Sequence, residues 1–162
     1  MHLFDIDVKG RMTFRESDTL TGGSALAHFD TPFGRVGLGI CYDMRFPLLA
    51  MLLRQAGCSI LIFPGAFNTV TGPPHWELLL RARALDTQCF VAGCSPARNP
   101  DAKYQAWGHS TVVSPWGEVV ATTDETPQTV FADLNLNRVD EVRAQIPVGH
   151  QARTDVYELR LK

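Results

Sequence analysis

The chain has 162 residues, of which 45% are hydrophobic, and its formal net charge at neutral pH is −2. This length and composition suit a single globular domain over residues 1–162 that buries a core of its own. The nearly balanced charge gives no electrostatic reason to expect nucleic acid or an anionic membrane as a partner, and no apolar run is long enough to span a bilayer.

The first predicted elements follow a polar, turn-rich stretch over residues 1–24. A short strand is predicted over residues 27–30 and a buried strand over residues 35–40. An amphipathic pattern then predicts a helix over residues 47–56, which a glycine ends. A continuous apolar run predicts another buried strand over residues 59–63.

The second half of the chain repeats this alternation after a loop rich in Gly, Thr and Pro. The predicted elements are a helix over 75–87, a strand over 89–94, a hairpin over 110–122, a strand over 129–134 and a helix over 136–145, followed by an irregular tail. Because strands and helices alternate before the hairpin, the order predicts a mixed α/β (α+β) architecture.

The most informative segment joins strand 35–40 to helix 47–56. Cys41 directly follows the apolar strand, and Asp43 and Arg45 lie within the next four residues. Such a corner lies at the carboxyl end of a strand, where open α/β sheets bind ligands, and the following helix would favour the thiolate over the thiol. A buried core cysteine is the common alternative. It would not need charged neighbours, so Cys41 is predicted to be a nucleophile.

The other polar candidates allow more than one interpretation. Arg45 lies one helical turn after Cys41, where its guanidinium could bind a substrate carboxylate or pair with Asp43. His75 or His109 could activate Cys41 in a Cys–His thiol hydrolase of a different fold, although a structural role is favoured for each. No two histidines have metal-ligand spacing, so no metal is predicted.

Residues 39–47 (GICYDMRFP) resemble the nucleophile motif of the carbon–nitrogen hydrolase, or nitrilase, superfamily. The resemblance covers nearly the whole chain and is closest to the omega-amidases, which hydrolyse the terminal amide of small 2-oxo acids such as 2-oxoglutaramate and 2-oxosuccinamate. The other segments that agree in order and spacing are residues 2–5, 14–17, 63–68, 75–79, 81–84, 107–110 and 114–118.

This resemblance implies a four-layer α-β-β-α sandwich with a Glu-Lys-Cys triad in which Cys41 is the cysteine. The family lysine would precede His2 by two residues and the family glutamate would lie earlier still. The chain is therefore expected to form the C-terminal part of the domain, without its N-terminal strands and helices. Glu16 matches a second glutamate near the active site, and the backbone N–H of Tyr42 would bind the oxyanion.

The resemblance also implies that Arg45, Phe67 and Thr71 contact the acid substrate. Cys41 would form a thioester, release ammonia and need no cofactor. The complete family form is expected to be a homodimer, and a non-catalytic chain that only associates with other subunits is the alternative. The four cysteines have no framework spacing and the first residues do not form a signal peptide, so the cytosol is the expected compartment, with mitochondria as the alternative.

Overall fold

A computed structural model describes residues 1–162. The strands are β1 (Asp5–Val8), β2 (Met12–Arg15), β3 (Ala27–Thr31), β4 (Gly34–Leu38), β5 (Cys58–Pro64), β6 (Phe90–Cys94), β7 (Thr111–Val113) and β8 (Val119–Thr122). The helices are α1 (Pro47–Gln55), α2 (Gly72–Thr87), α3 (Asn137–Gln145) and α4 (Val148–Gln151), and Glu16–Asp18 and Cys41–Arg45 form short 3₁₀ helices. No helix has both the length and the apolar character needed to cross a membrane.

Strands β3 to β8 form one six-stranded sheet in chain order, and β1 and β2 form a separate hairpin. The central strands β4, β5 and β6 are parallel, whereas the strands on either side pair antiparallel. A parallel connection needs a crossover, and helices α1 and α2 supply the two crossovers. The mixed α/β prediction is therefore confirmed.

Helices α1 and α2 cover one face of the sheet. A Cβ atom on Gly37 would lie 3.2 Å from Leu53 of α1, and a Cβ on Gly93 would lie 2.7 Å from Trp76 of α2. Glycine at these positions lets the helices pack closely against the strands. The core between these layers includes Leu61 and other fully buried side chains: Phe63, Leu80, Ala84, Val91 and Val113.

The opposite face of the sheet carries an apolar stripe that is only half-buried. The strand register aligns Leu38, Ile62, Ala92, Val112 and Ala121 across five neighbouring strands. Each of these side chains is partly exposed, in contrast to the neighbouring positions that face the helices.

Three parts of the chain differ from the predicted elements. Residues 1–24 were expected to be irregular, but they contain the β1–β2 hairpin, whose turn closes with an Arg11 N–H bond to the Val8 carbonyl. The strand predicted over 129–134 is wrong, because the segment alternates in burial but pairs with no neighbouring strand. The tail after Ile146, predicted to be irregular, contains the short helix α4.

Candidate active site

Cys41 lies at a tight corner that follows β4 after Gly39 and Ile40. It begins the 3₁₀ helix Cys41–Arg45 and has a φ of +46°, which is rare for a residue with a side chain. The buried carboxylate of Asp43 holds the corner by accepting hydrogen bonds of 2.9 Å from the Ile40 N–H and 2.8 Å from the His2 N–H. Strained backbone of this kind clusters at functional sites, where it fixes a side chain in place.

A glycine at the end of β5 allows this corner to form. A Cβ atom on Gly65 would lie only 2.8 Å from the Cα of Cys41, so no larger residue fits without a backbone shift. Gly65 is fixed in turn, because its N–H donates a 2.9 Å hydrogen bond to the Cys94 carbonyl of β6. The carboxyl ends of β4, β5 and β6 therefore meet at Cys41.

Cys41 lines a small pocket whose free space of about 10 Å³ holds about one water molecule. The structure thus brings five of the six predicted site residues, Cys41, Tyr42, Arg45, Phe67 and Thr71, to one pocket, which Phe4, Ala66 and Tyr104 complete.

Arg45 forms no ion pair, and its half-buried guanidinium faces this pocket. Its Cζ lies 4.6 Å from the centre of the Phe67 ring, and its Nη1 lies 3.2 Å from Nδ1 of His75. Asp43 does not pair with Arg45, because its oxygens accept from His2 and Ile40. Burial lowers the pKa of Arg45, but a guanidinium stays charged at any physiological pH. The pocket therefore contains an unpaired cation beside a thiol.

Glu16, the sixth predicted site residue, does not line the pocket. Its Oε2 accepts a 2.7 Å hydrogen bond from the Phe4 N–H and so fixes Phe4, which does line it. The charge of Glu16 nevertheless acts on the thiol, because it raises the pKa of Cys41. Its predicted part in the reaction stays a prediction.

The expectation that the corner favours the thiolate of Cys41 is wrong. Burial raises the pKa of the thiol above its ordinary value, and Glu16 adds to this effect. The backbone N–H groups of Ala66 and Tyr42 and the charge of Arg45 act in the opposite direction but do not compensate. The helix that follows is a five-residue 3₁₀ helix, whose short dipole offsets little of the desolvation.

The histidines do not line the pocket at Cys41. His75 faces Arg45, and His109 stacks on Trp107 with 4.1 Å between the ring centres. The sequence analysis missed Tyr104, whose hydroxyl donates a 2.6 Å hydrogen bond to the Ala66 carbonyl at the pocket. Its loop carries no local signal, since only the fold brings it to Cys41.

The carbon–nitrogen hydrolase family profile matches residues 1–144, so the chain belongs to the carbon–nitrogen hydrolase family. All 162 residues align at 56% identity with omega-amidase NIT2 of Bos taurus and of Homo sapiens, and the chain spans 59% of the length of each. These matches rule out the alternative of a Cys–His hydrolase on an unrelated fold.

Two solved structures support the same fold. The NitFhit protein of C. elegans has a TM-score of 0.92 and 43% identity, covering 100% of this chain and 40% of that one. Nit3 of Saccharomyces cerevisiae, a member of the nitrilase superfamily, has a TM-score of 0.82 and 48% identity, covering 85% of this chain and 51% of that one. The predicted nitrilase-type fold is confirmed.

Proposed function

We propose that this protein is an amidohydrolase of the omega-amidase type, which cleaves the terminal amide of small 2-oxo dicarboxylic acid monoamides such as 2-oxoglutaramate and 2-oxosuccinamate. The observation that carries the proposal is one small pocket that holds both the Cys41 thiol and the unpaired guanidinium of Arg45. The identity of 56% to omega-amidases supports the same activity.

In this reaction the Cys41 sulfur attacks the amide carbon, and the thiol proton passes to the departing nitrogen. The carbon–nitrogen bond breaks, ammonia leaves and a thioester remains on Cys41. Water then attacks the thioester, which releases the carboxylic acid and restores the thiol. The backbone N–H of Tyr42 is suited to bind the oxyanion formed in both steps, together with the family lysine, and the family glutamate would transfer the protons.

Substrate recognition in the proposal depends on the carboxylate at the far end of the substrate. Arg45 can bind that carboxylate through two parallel N–H groups, while the Phe67 ring supports the guanidinium plane. Thr71 adds a hydroxyl-bearing side chain to the lining of the same pocket. A small neutral amide would lack this charged contact and would bind more weakly.

We also propose that the 162 residues form the C-terminal part of a family domain, since they span 59% of the relatives. The test is ammonia release from 2-oxoglutaramate by this chain and by a version extended upstream with the family glutamate and lysine. Cys41→Ala should abolish release by the extended protein, and Cys94→Ala, which removes an exposed thiol, should not. The proposed activity would be refuted if the extended protein released no ammonia, or if its Cys41→Ala variant still released it.

The second candidate is a chain that acts only through association with other subunits, and a homodimer is the form that we expect. The half-exposed apolar stripe from Leu38 to Ala121 favours association, because apolar faces of this kind mark contact surfaces. An extended protein that dimerises but releases no ammonia from any of the acid amides would favour this candidate over the enzyme.

A further inference from the structure

The guanidinium of Arg45 lies between one side chain from the segment that links β5 to α2 and one from the first turn of α2. Phe67 supports one side, with its ring centre 4.6 Å from Cζ, and the Nδ1 atom of His75 lies 3.2 Å from Nη1. Both neighbours are anchored. Phe67 packs edge-on against the buried Trp76 at 5.1 Å between ring centres, and the His75 N–H donates a 3.1 Å hydrogen bond to the Thr71 carbonyl.

The chemistry of the two groups fixes the direction of the Arg45–His75 contact. A guanidinium has only donors, so Nδ1 of His75 accepts, and the imidazole is neutral with its hydrogen on Nε2. Burial and the neighbouring charge of Arg45 both lower the pKa of His75, which agrees with a neutral ring. This contact is the one side-chain hydrogen bond that Arg45 makes.

We propose that His75 is a positioning residue that makes the enzyme selective for amides bearing a carboxylate, because it holds the Arg45 guanidinium in its substrate-binding orientation. The proposal rests on the proposed function, in which Arg45 binds the substrate carboxylate. Arginine has large rotamer freedom, and a group that is already ordered before binding loses less entropy when the ligand arrives.

His75 acts through Arg45 and does not line the pocket at Cys41. Its loss should therefore weaken binding of the acid and leave the chemical step unchanged. In the extended, active enzyme, His75→Ala should raise the KM for 2-oxoglutaramate about fivefold, the effect of one lost hydrogen bond, and leave kcat within about twofold. His75→Asn places an oxygen acceptor near the position of Nδ1 and should retain the wild-type KM.

The matched control is His28→Ala, since His28 is an exposed histidine on β3 that does not line the pocket. The same variants of the 162-residue chain are titrated calorimetrically with 2-oxoglutarate, the acid product, and their thermal unfolding is recorded. His75→Ala should bind this acid about fivefold more weakly, whereas His75→Asn and His28→Ala should match the wild type.

The outcomes separate this proposal from the proposed function. Absence of ammonia release by the extended wild type refutes the function, and the 2-oxoglutarate titration then still decides the role of His75. If the extended wild type is active and His75→Ala and His75→Asn raise the KM equally, packing of the imidazole ring accounts for the effect. That result overturns the positioning role of His75 and leaves the proposed function in place. The positioning role is also overturned if His75→Ala leaves the KM unchanged, or if its kcat falls as much as its KM rises. Failure of the wild type to bind 2-oxoglutarate overturns it as well.

Discussion

At the scale of single residues, the Cys41 thiol is subject to opposing effects. Burial and the charge of Glu16 raise its pKa, whereas the Ala66 and Tyr42 N–H groups and Arg45 lower it. The resting cysteine is therefore mostly a neutral thiol at pH 7. In the proposed reaction, the attacking thiolate would form once a substrate and a base are in place.

This balance predicts how alkylation of Cys41 depends on pH and on Glu16. Because the pKa of the thiol is raised, the rate of iodoacetamide modification should still increase as the pH rises past 9. Glu16→Gln removes a negative charge, so the pKa of Cys41 should fall and alkylation at pH 8 should speed up. The glutamine oxygen can still accept the Phe4 N–H bond.

The rates are measured by mass spectrometry of the Cys41 peptide. Glu77→Gln is the control, because Glu77 is an exposed carboxylate on α2 that does not contribute to the shift at Cys41. A Glu16→Gln chain that reacts at the wild-type rate or more slowly would show that the charge of Glu16 does not reach the thiol.

At the scale of elements, the end of β5 sets the position of the corner that carries Cys41. Gly65→Ala would place a methyl group 2.8 Å from the Cys41 Cα, and both backbones would have to move apart. We expect a loss of about 1–3 kcal/mol in the free energy of unfolding and a large fall in Cys41-dependent activity, because overpacking shifts backbone. Urea unfolding and ammonia release by the extended protein measure the two effects.

Gly23→Ala provides the control for this substitution. Its added Cβ would come no closer than 4.0 Å to the neighbouring Met1 Cα, so its stability should change little. Equal stabilities for the Gly65 and Gly23 variants would contradict the close approach between β5 and the corner.

The elements also show what the sequence could and could not predict. Helix α1 and strand β5 have strong local patterns, and both formed close to the predicted bounds. The β1–β2 hairpin escaped prediction because its strands are only four residues long, β1 carries two acidic side chains and neither strand has a fully buried residue. At the site, Cys41 and Arg45 share one short motif, whereas Tyr104 reaches the pocket only through tertiary structure.

At the scale of the whole molecule, the two faces of the six-stranded sheet differ. Helices α1 and α2 bury one face, and the other retains the half-exposed stripe of Leu38, Ile62, Ala92, Val112 and Ala121. An apolar stripe across five strands is larger than the scattered apolar residues of an ordinary surface, so another polypeptide surface is its natural cover. We therefore expect the 162-residue chain to associate with itself at micromolar concentrations.

Val112→Lys tests this expectation, because it places a charge in the stripe on β7. Association would bring like charges together in an apolar contact, which costs several kcal/mol, so the dissociation constant should rise at least about tenfold in sedimentation equilibrium. Val120→Lys on β8 is the matched control, since this valine alternates with the stripe residue Ala121 and is 44% exposed. A wild-type chain that sediments as a monomer and unfolds cooperatively would show that the stripe needs no cover. If both lysine substitutions raise the dissociation constant equally, the effect on association comes from net charge and not from the stripe.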